Sequence, residues 1–301
     1  MGSSLTTIGL PVALGFIMLG LGLALTPGDF ARIAKHPKAV AIALACQVLL
    51  LPAICFGLVL AFALPPVLAV GMMLLAASPG GTTANLYSHL FRGDVALNIS
   101  LTAINSVIAV VTLPVIVNLS FGYFMAGDEQ IGIQFGKFVE VFAIVLLPVA
   151  LGMLVRRFRP EFARAMDRPV RIASVVILLA VIVGAVAANR EILADNFGRL
   201  SGITVVFCLC SLVIGYLAPR MLRVSRTQSI ASSFEIGIHN ATLAIVIAQT
   251  VIGSVEMSLP AGVCGVLMFF LAAGFGFIIR AKQPTDVGDS LSLDGTSEQL
   301  R

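Results

Sequence analysis

Charged side chains are scarce in this sequence. Of its 301 residues, 11% are Asp, Glu, Lys or Arg and 58% are hydrophobic. A soluble domain of this length carries far more charge, so the composition excludes one and predicts a polytopic membrane protein. The isoelectric point near 9.0 does not indicate a nucleic-acid partner, because the basic residues stand in short loops between apolar runs.

Catalytic and metal-binding patterns are also sparse. The five cysteines lie inside apolar runs and form neither a CxxC pair nor a disulfide framework, so we interpret them as small core residues. The three histidines form no HExxH motif, which an intramembrane metalloprotease needs. An aspartyl protease needs two aspartates in the middle of apolar runs, and the sequence has none there. These absences argue against an enzyme.

The sequence does contain nine apolar segments, separated by charge, proline and glycine. Most are about 20 residues or longer, which is enough to cross a bilayer. Their approximate limits are 6–25, 39–63, 67–91, 94–119, 135–155, 170–189, 200–219, 227–252 and 259–280. We therefore predict an all-α membrane protein with nine transmembrane helices in residues 1–282. The polar tail, 283–301, is expected to be disordered in the cytoplasm.

Basic residues are distributed unevenly over the predicted loops. Sixteen of the 19 Lys and Arg residues follow the first, third, fifth, seventh or last segment, and three lie on the opposite side. By the positive-inside rule, the N-terminus is outside and the C-terminus is cytoplasmic, in the cell inner (plasma) membrane. The split also supports nine segments, since one missed or invented helix would scramble it.

Two segments are interrupted near their centres. The segment 67–91 contains Ser78-Pro79-Gly80-Gly81-Thr82-Thr83-Ala84-Asn85, and the segment 227–252 contains Glu235-Ile236-Gly237-Ile238-His239-Asn240. A Pro-Gly-Gly run breaks a helix, which is tolerated only where the freed backbone groups are buried in protein or face a cavity. The predicted topology runs the two segments in opposite directions. This fits an inverted five-plus-five repeat that lacks its first helix, with the binding site of a secondary transporter at the breaks.

Glu235 lies about two turns inside its apolar segment. A carboxylate there costs several kcal/mol unless a cation or a water-filled cavity accompanies it. One alternative is an ion pair with a loop arginine such as Arg226. The other is a hard monovalent cation, which takes oxygen ligands. Amide and hydroxyl oxygens are available in the surrounding segments from Gln47, Asn85, Asn98 and Thr102.

The first break also favours an anion. Beyond Gly80 and Gly81, a helix begins whose first N–H groups belong to Thr82, Thr83 and Ala84. Unbonded N–H groups at a helix N-terminus attract negative charge, and the two threonine hydroxyls extend the donor set. The predicted ligand is therefore a small or amphipathic organic anion, with cations held by Glu235.

These motifs resemble those of the bile acid:sodium symporter family. The resemblance covers nearly the whole chain in order, including the stretches 20–30, 79–85, 92–102 and 235–241. It implies a core domain, at about 39–119 and 200–280, that contains two crossing unwound helices. It also implies a panel domain, at about 6–25 and 135–189, that moves against the core.

The resemblance implies two sodium sites and a substrate site. The first sodium site would use the side chains of Asn85, Asn98, Thr102 and Glu235. The second would use Gln47, Glu235 and the backbone oxygens of Ile236 and Ile238, with His239 beside them. Substrate would lie at the crossing, near Gly80, Gly81, Thr82, Thr83 and Asn240.

Some positions depart from the family pattern. Ala84 stands where the family often has Ser, and Asn98 replaces a common Ser with another oxygen donor. His239 stands where the family usually has Gln, a ligand of the second sodium, and imidazole is a poor ligand for a hard cation. Either a protonated His239 replaces that sodium, or a neutral His239 leaves it to backbone carbonyls. The apolar stretch 263–270 suits a bulkier anion.

Together these observations predict a sodium-coupled symporter that imports an organic anion by alternating access. The anion is bile-acid-like, steroid-like or a small carboxylate. We expect a monomer in the lipid bilayer, with no cofactor apart from sodium as the coupling ion and no nucleic-acid partner. The alternatives are a sodium/proton antiporter, which usually has an aspartate at the crossing, and a proton-coupled organic anion transporter of the same fold.

Overall fold

The computed structural model describes residues 26–81, 83–126, 135–166 and 190–281, with scattered positions between 15 and 23 and between 169 and 183. Within these residues the chain is helical, apart from turns and an isolated β-bridge. Several predictions lie wholly or largely outside the described residues. They concern the first segment (6–25), the sixth segment (170–189), Thr82 and the tail (283–301).

The helices are numbered in chain order. They are α1 (Pro27–Ile33), α2 (Pro37–Ala45), α3 (Leu51–Ala61), α4 (Pro66–Ala77), α5 (Thr83–Leu90), α6 (Val95–Phe124), α7 (Phe135–Phe158), α8 (Arg190–Met221), α9 (Arg226–Gly237), α10 (Ala241–Val246) and α11 (Leu259–Ala281). Wider π-helical turns follow α2 at Cys46–Leu50 and α10 at Ile247–Ile252, and a 3₁₀ turn, Glu256–Ser258, precedes α11.

Within the described residues, four helical stretches are long and apolar enough to cross a membrane. They are Pro37–Ala61, Val95–Phe124, Ala194–Met221 and Glu256–Arg280. They coincide with the predicted segments 39–63, 94–119, 200–219 and 259–280, although three of the four extend several residues further at one end. The chain is therefore a multi-pass membrane protein.

The π turn at Cys46–Leu50 accommodates a proline. Pro52 lies in the first turn of α3 and has no N–H to donate to the carbonyl four residues earlier. Widening the turn absorbs this defect while the helical path continues from α2 into α3. The widened turn also contains Gln47, which is 5% exposed.

Each interrupted segment folds as two short helices, α4 with α5 and α9 with α10. Between the halves, Gly80 and His239 form an antiparallel bridge. The Gly81 N–H donates to the Ile238 carbonyl at 2.7 Å, and the Asn240 N–H donates to the Pro79 carbonyl at 2.9 Å. Each break therefore satisfies backbone groups that the other break has freed, which explains how two broken helices are stable inside an apolar protein.

Two hydrogen bonds of Asp94 align α6 with α9. The Asp94 carboxylate accepts the Leu97 N–H at 3.0 Å and so caps α6, while the Asp94 N–H donates to the Thr227 carbonyl at 3.0 Å. Before it, a Cβ at Gly93 would lie 3.1 Å from the Ala231 backbone nitrogen, so glycine allows this close approach. As a result, one face of α6 lies directly along α9.

Apolar packing surrounds the breaks. Every residue of α4 from Leu68 to Ala77 is buried, as expected for a helix that is apolar on all sides. Directly after the other half-helix, α5, Phe91 stacks on Phe234 of α9 with ring centroids 5.5 Å apart. The Tyr87 hydroxyl donates to the Phe269 carbonyl of α11 at 2.9 Å. These contacts hold α5 against α9 and α11.

Candidate functional site

Glu235 is completely buried at the end of α9. Its Oε2 accepts the Thr102 hydroxyl at 2.5 Å, and its Oε1 accepts the Asn105 Nδ2 at 3.1 Å. Among the described residues, the groups that bond Glu235 are therefore all neutral. Arg226 instead donates to the Ile279 carbonyl at 2.6 Å, so the alternative of an Arg226–Glu235 pair is not what the structure shows.

The carboxylate of Glu235 fills the space above Gly80. A Cβ at this glycine would collide with the Cδ and Oε1 atoms of Glu235 and would lie 2.6 Å from its carbonyl oxygen. The backbone of the first break thus approaches the acid as closely as a peptide can. Glycine is needed here for space, not for an unusual backbone angle.

Three polar side chains on α6 face the acid and its helix. Asn98, Thr102 and Asn105 are spaced by four and three residues and so share one face. The Asn98 Nδ2 donates to the Ala231 carbonyl, one turn before Glu235, and to the Ser88 hydroxyl of α5, each at 2.8 Å. Because Asn85 precedes Ser88 by three residues, it lies on the same side of α5.

Gln47 approaches the crossing from another helix. Its Nε2 donates to the Ser78 carbonyl at 2.9 Å, just before the Pro79-Gly80 break. The π turn holding Gln47 therefore brings a fourth amide to the two broken helices. The five residues Gln47, Asn85, Asn98, Thr102 and Glu235 that the sequence singled out all lie on elements that meet at the crossing.

Four buried amide oxygens have no hydrogen-bond donor among the described residues. They are Gln47 Oε1, Asn85 Oδ1, Asn98 Oδ1 and Asn105 Oδ1. For three of them, the amide nitrogen of the same side chain already donates to a carbonyl or carboxylate, so the side chain cannot flip without losing that bond. A buried polar atom without a partner needs an explanation, and a cation supplies one.

The type of cation follows from the donor set. Carboxylate, amide and hydroxyl oxygens suit hard cations, whereas transition metals prefer imidazole and thiolate groups. Within the described residues, no three His, Cys, Asp or Glu side chains cluster as a transition-metal site requires. The arrangement around Glu235 can therefore bind a hard cation such as sodium.

His239 is 1% exposed and is one of the two residues that form the backbone bridge. Its ring stacks on Phe207 of α8, with centroids 4.9 Å apart and planes inclined by 17°. Neither ring nitrogen has a hydrogen-bond partner in the described part of the chain. Packing against Phe207 thus fixes the ring, while its polar atoms remain available to a proton or a ligand.

The open side of the crossing carries the groups predicted to bind an anion. Thr83 and Asn240 are partly exposed, in contrast to buried Glu235. Asn240 Oδ1 accepts the Leu243 N–H at 3.0 Å and caps α10, so the cap uses the oxygen of this amide and not its NH₂ group. The Ala84 N–H donates to the Gly81 carbonyl at 2.9 Å, so this predicted anion donor is already bonded.

Sequence reasoning missed Asn105. It lies seven residues after Asn98 and three after Thr102, so the helical repeat that paired those two also contains it. The role of Gly80 as the space beside Glu235 was missed as well. No local pattern indicates which distant side chain a glycine must accommodate.

Comparison with known families gives an independent view of the chain. The sequence model of the Sodium Bile acid symporter family matches residues 11–196, which is more than half of the chain. The matched range contains the first broken helix and α6, and it ends before α9.

Curated relatives show the same relationship. An "Uncharacterized sodium-dependent transporter YocS" of Bacillus subtilis is 28% identical over 79% of this chain and 72% of its own length. Two rice proteins named probable chloroplastic sodium/metabolite cotransporters, BASS2 and BASS1, are 26% and 29% identical over 85% and 92% of this chain. The match spans 60% of the length of BASS2 and 67% of that of BASS1.

Proposed function

The chain belongs to the Sodium Bile acid symporter family, a family of transporters and not of enzymes, and on that basis we propose that it is a sodium-coupled symporter that imports an organic anion. Transport proceeds by alternating access. The names of its relatives, which refer to sodium-dependent transport and to sodium/metabolite cotransport, support the coupling to sodium.

One observation carries this proposal. The Glu235 carboxylate is completely buried with only neutral partners among the described residues, and the surrounding amides hold oxygens that lack donors there. Burying an uncompensated carboxylate costs several kcal/mol, and a bound cation removes most of that cost. A site with these properties binds and releases a cation without leaving a permanent ion pair behind.

The first sodium site is assigned to Asn85, Asn98, Thr102 and Glu235. Thr102 bonds the carboxylate, and Asn98 bonds the backbone of α9 one turn earlier. The side-chain oxygens of Asn85 and Asn98 lack donors among the described residues, which suits them to a hard cation.

The second sodium site is assigned to Gln47, Glu235 and the carbonyls of Ile236 and Ile238. Gln47 contributes an oxygen with no donor in the described chain, and the Ile238 carbonyl keeps one lone pair after accepting the Gly81 N–H. His239 lies beside this site. The negative charges at the site are those of Glu235 and of a monoanionic substrate. Two sodium ions balance them, and so does one sodium ion together with a protonated His239. The number of coupled sodium ions therefore depends on His239.

The substrate is assigned to the partly exposed side of the crossing. Gly80, Gly81, Thr82, Thr83 and Asn240 would contact it, with the Asn240 NH₂ and the Thr83 hydroxyl as hydrogen-bond donors to a carboxylate or sulfonate. Among bile-acid-like, steroid-like and smaller anions, the apolar stretch 263–270 on α11 favours one with a large apolar body.

The proposed architecture has nine transmembrane helices arranged as an inverted repeat that lacks one helix. The panel, at about 6–25 and 135–189, rocks against the core, at about 39–119 and 200–280. The mutual bonding of the two breaks supports a core that moves as one unit, because separating the halves would leave backbone groups unpaired. We propose a monomer in the plasma membrane, with the N-terminus outside and the C-terminus in the cytoplasm.

The test is uptake into proteoliposomes with and without an inward sodium gradient. The panel of radiolabelled anions includes a bile acid, a steroid sulfate and several short carboxylates and sulfonates. We expect accumulation of at least one anion with sodium and none when choline replaces it. In Glu235→Gln, which keeps the size of the side chain but removes its charge, sodium-dependent uptake should fall to background.

Glu256→Gln is the matched control, since Glu256 is an acid in the 3₁₀ turn before α11 that is assigned to neither the sodium nor the substrate sites, and its substitution should leave uptake unchanged. Full sodium-dependent uptake by Glu235→Gln would refute the site. Sodium flux that moves protons outward with no organic substrate would instead support the antiporter, and uptake driven by a proton gradient alone would support the proton-coupled transporter.

A further inference from the structure

Asn105 takes part in the polar contacts at Glu235, yet it is absent from both sodium sites assigned above. It is 2% exposed and lies on the same face of α6 as Asn98 and Thr102. Its Nδ2 donates to Glu235 Oε1 at 3.1 Å, while its Oδ1 has no donor among the described residues. We propose that Asn105 orients the Glu235 carboxylate and also binds, through its own Oδ1, the sodium ion that this carboxylate binds. This inference rests on the function proposed above.

Glu235 determines the orientation of the Asn105 amide. A carboxylate accepts hydrogen bonds and donates none when ionised, so Asn105 must present its NH₂ group to Glu235. In this orientation Nδ2, and not Oδ1, contacts the carboxylate, so Oδ1 needs another partner. A buried amide oxygen held in this way costs free energy unless a donor or a cation reaches it.

The distance between Asn105 Oδ1 and Glu235 Oε1 is limited by the geometry of the amide. The nitrogen and oxygen of one amide are roughly 2.2 Å apart, given the standard C=O and C–N lengths. With Nδ2 at 3.1 Å from Glu235 Oε1, Oδ1 lies within about 5.3 Å of that oxygen. Two oxygens that share a hard cation at about 2.3–2.6 Å each are separated by at most about 5 Å. The contact therefore places Oδ1 in the range in which one ion can join it to the carboxylate.

Asn105 differs from two hydroxyl side chains that follow it on α6. The hydroxyls of Ser106 and Thr112 donate to the carbonyls four residues earlier, at 2.7 and 3.2 Å, and so are satisfied within the helix. Asn105 instead reaches across to α9, 130 residues later in the chain. A side chain with only a packing role would not need an amide at this position.

The experiment measures sodium binding directly, without substrate. The full chain in detergent is melted over a range of sodium concentrations at constant ionic strength, with choline as the replacing cation. In Asn105→Leu, which removes both polar groups at similar size, the half-saturating sodium concentration should rise about 10-fold to 100-fold. Thr112→Val, on the same helix, should behave as wild type. If Asn105→Leu does not fold, Asn105→Ala replaces it.

An exchange of the two polar groups separates a ligand from a merely positioning residue. The double variant Asn105→Asp with Glu235→Gln keeps one carboxylate and one amide in contact, but with their places exchanged. If both side chains coordinate the ion, sodium-dependent stabilisation lost in Glu235→Gln should return in the double variant. If Asn105 only orients Glu235, the carboxylate is now in the wrong place and stabilisation stays absent, which overturns the proposal.

The result also separates this inference from the proposed function. Wild-type protein that sodium does not stabilise, and that takes up anions without sodium, contradicts the proposed function itself. Wild-type protein that sodium stabilises, together with an unchanged half-saturating concentration in Asn105→Leu, contradicts the role of Asn105 alone.

Discussion

The two breaks at the crossing bond to each other but differ in their side chains. The first break is built from Pro79, Gly80 and Gly81. It has no side chain at Gly80, which faces Glu235, or at Gly81, which faces the backbone of the second break. The second is built from Ile238, His239 and Asn240, all of which carry substantial side chains. The backbone bonds between them are similar in length, at 2.7 and 2.9 Å.

This difference indicates a division of roles. The first break is small because Glu235 occupies the space that a side chain at Gly80 would need. The second break can be bulky because its imidazole packs sideways on Phe207. Both breaks form the same kind of backbone hydrogen bond. The first break has small residues because Glu235 needs the space, whereas the second has polar side chains that can take part in binding.

The largest effect is expected from adding a methyl group to the first break, at Gly80. In Gly80→Ala, the new Cβ would collide with the Glu235 carboxylate, and overpacking of this kind costs about 1–3 kcal/mol. We expect uptake to fall to background and the melting temperature to drop. Gly57→Ala is the control, because a Cβ there meets no atom within 4 Å and alanine favours the helix. Normal uptake by Gly80→Ala would contradict the close fit.

A smaller effect is expected from changing the chemistry of the second break. In His239→Gln, an amide oxygen replaces imidazole beside the second sodium site and is the better ligand for a hard cation. We expect the half-saturating sodium concentration for uptake to fall roughly 10-fold. The Hill slope for sodium should approach two.

Phe207→Leu serves as the comparison, since it removes the stacking ring but changes no donor or acceptor at the crossing. Its sodium dependence should stay close to that of wild type. A wild-type Hill slope that is already near two at every pH would show that His239 does not limit the second site.

The smallest effect is expected at Asp94, which aligns α6 with α9 and is not assigned to a binding site. In Asp94→Ala, α6 loses the side chain that accepts the Leu97 N–H, which typically costs about 1 kcal/mol of stability. We expect a lower melting temperature with nearly normal uptake at low temperature, and Asp94→Ser should recover most of the stability. Loss of uptake in a well-folded Asp94→Ala protein would instead assign this residue a direct role in transport.

Several features of this protein follow from the sequence alone. The hydropathy pattern predicts nine apolar helices, and four of them are found among the described residues as long apolar helices, because helices crossing a bilayer must be apolar over about 20 residues. The Pro-Gly-Gly run and the polar stretch around Glu235 predict both interruptions, since these residues act on their own backbone. The motifs also pointed to the family that comparison confirms.

Only the tertiary structure decided how the polar groups are used. Whether Glu235 pairs with Arg226 or with neutral groups depends on which helices lie beside it. The orientation of the Asn98 amide depends on a carbonyl that lies 133 residues later in the chain. The importance of Asn105, the space at Gly80 and the stacking of His239 arise in the same way. Each is a contact between distant segments. A local pattern shows which side chains share a helix face, as it does for Asn105, but not which distant group they contact.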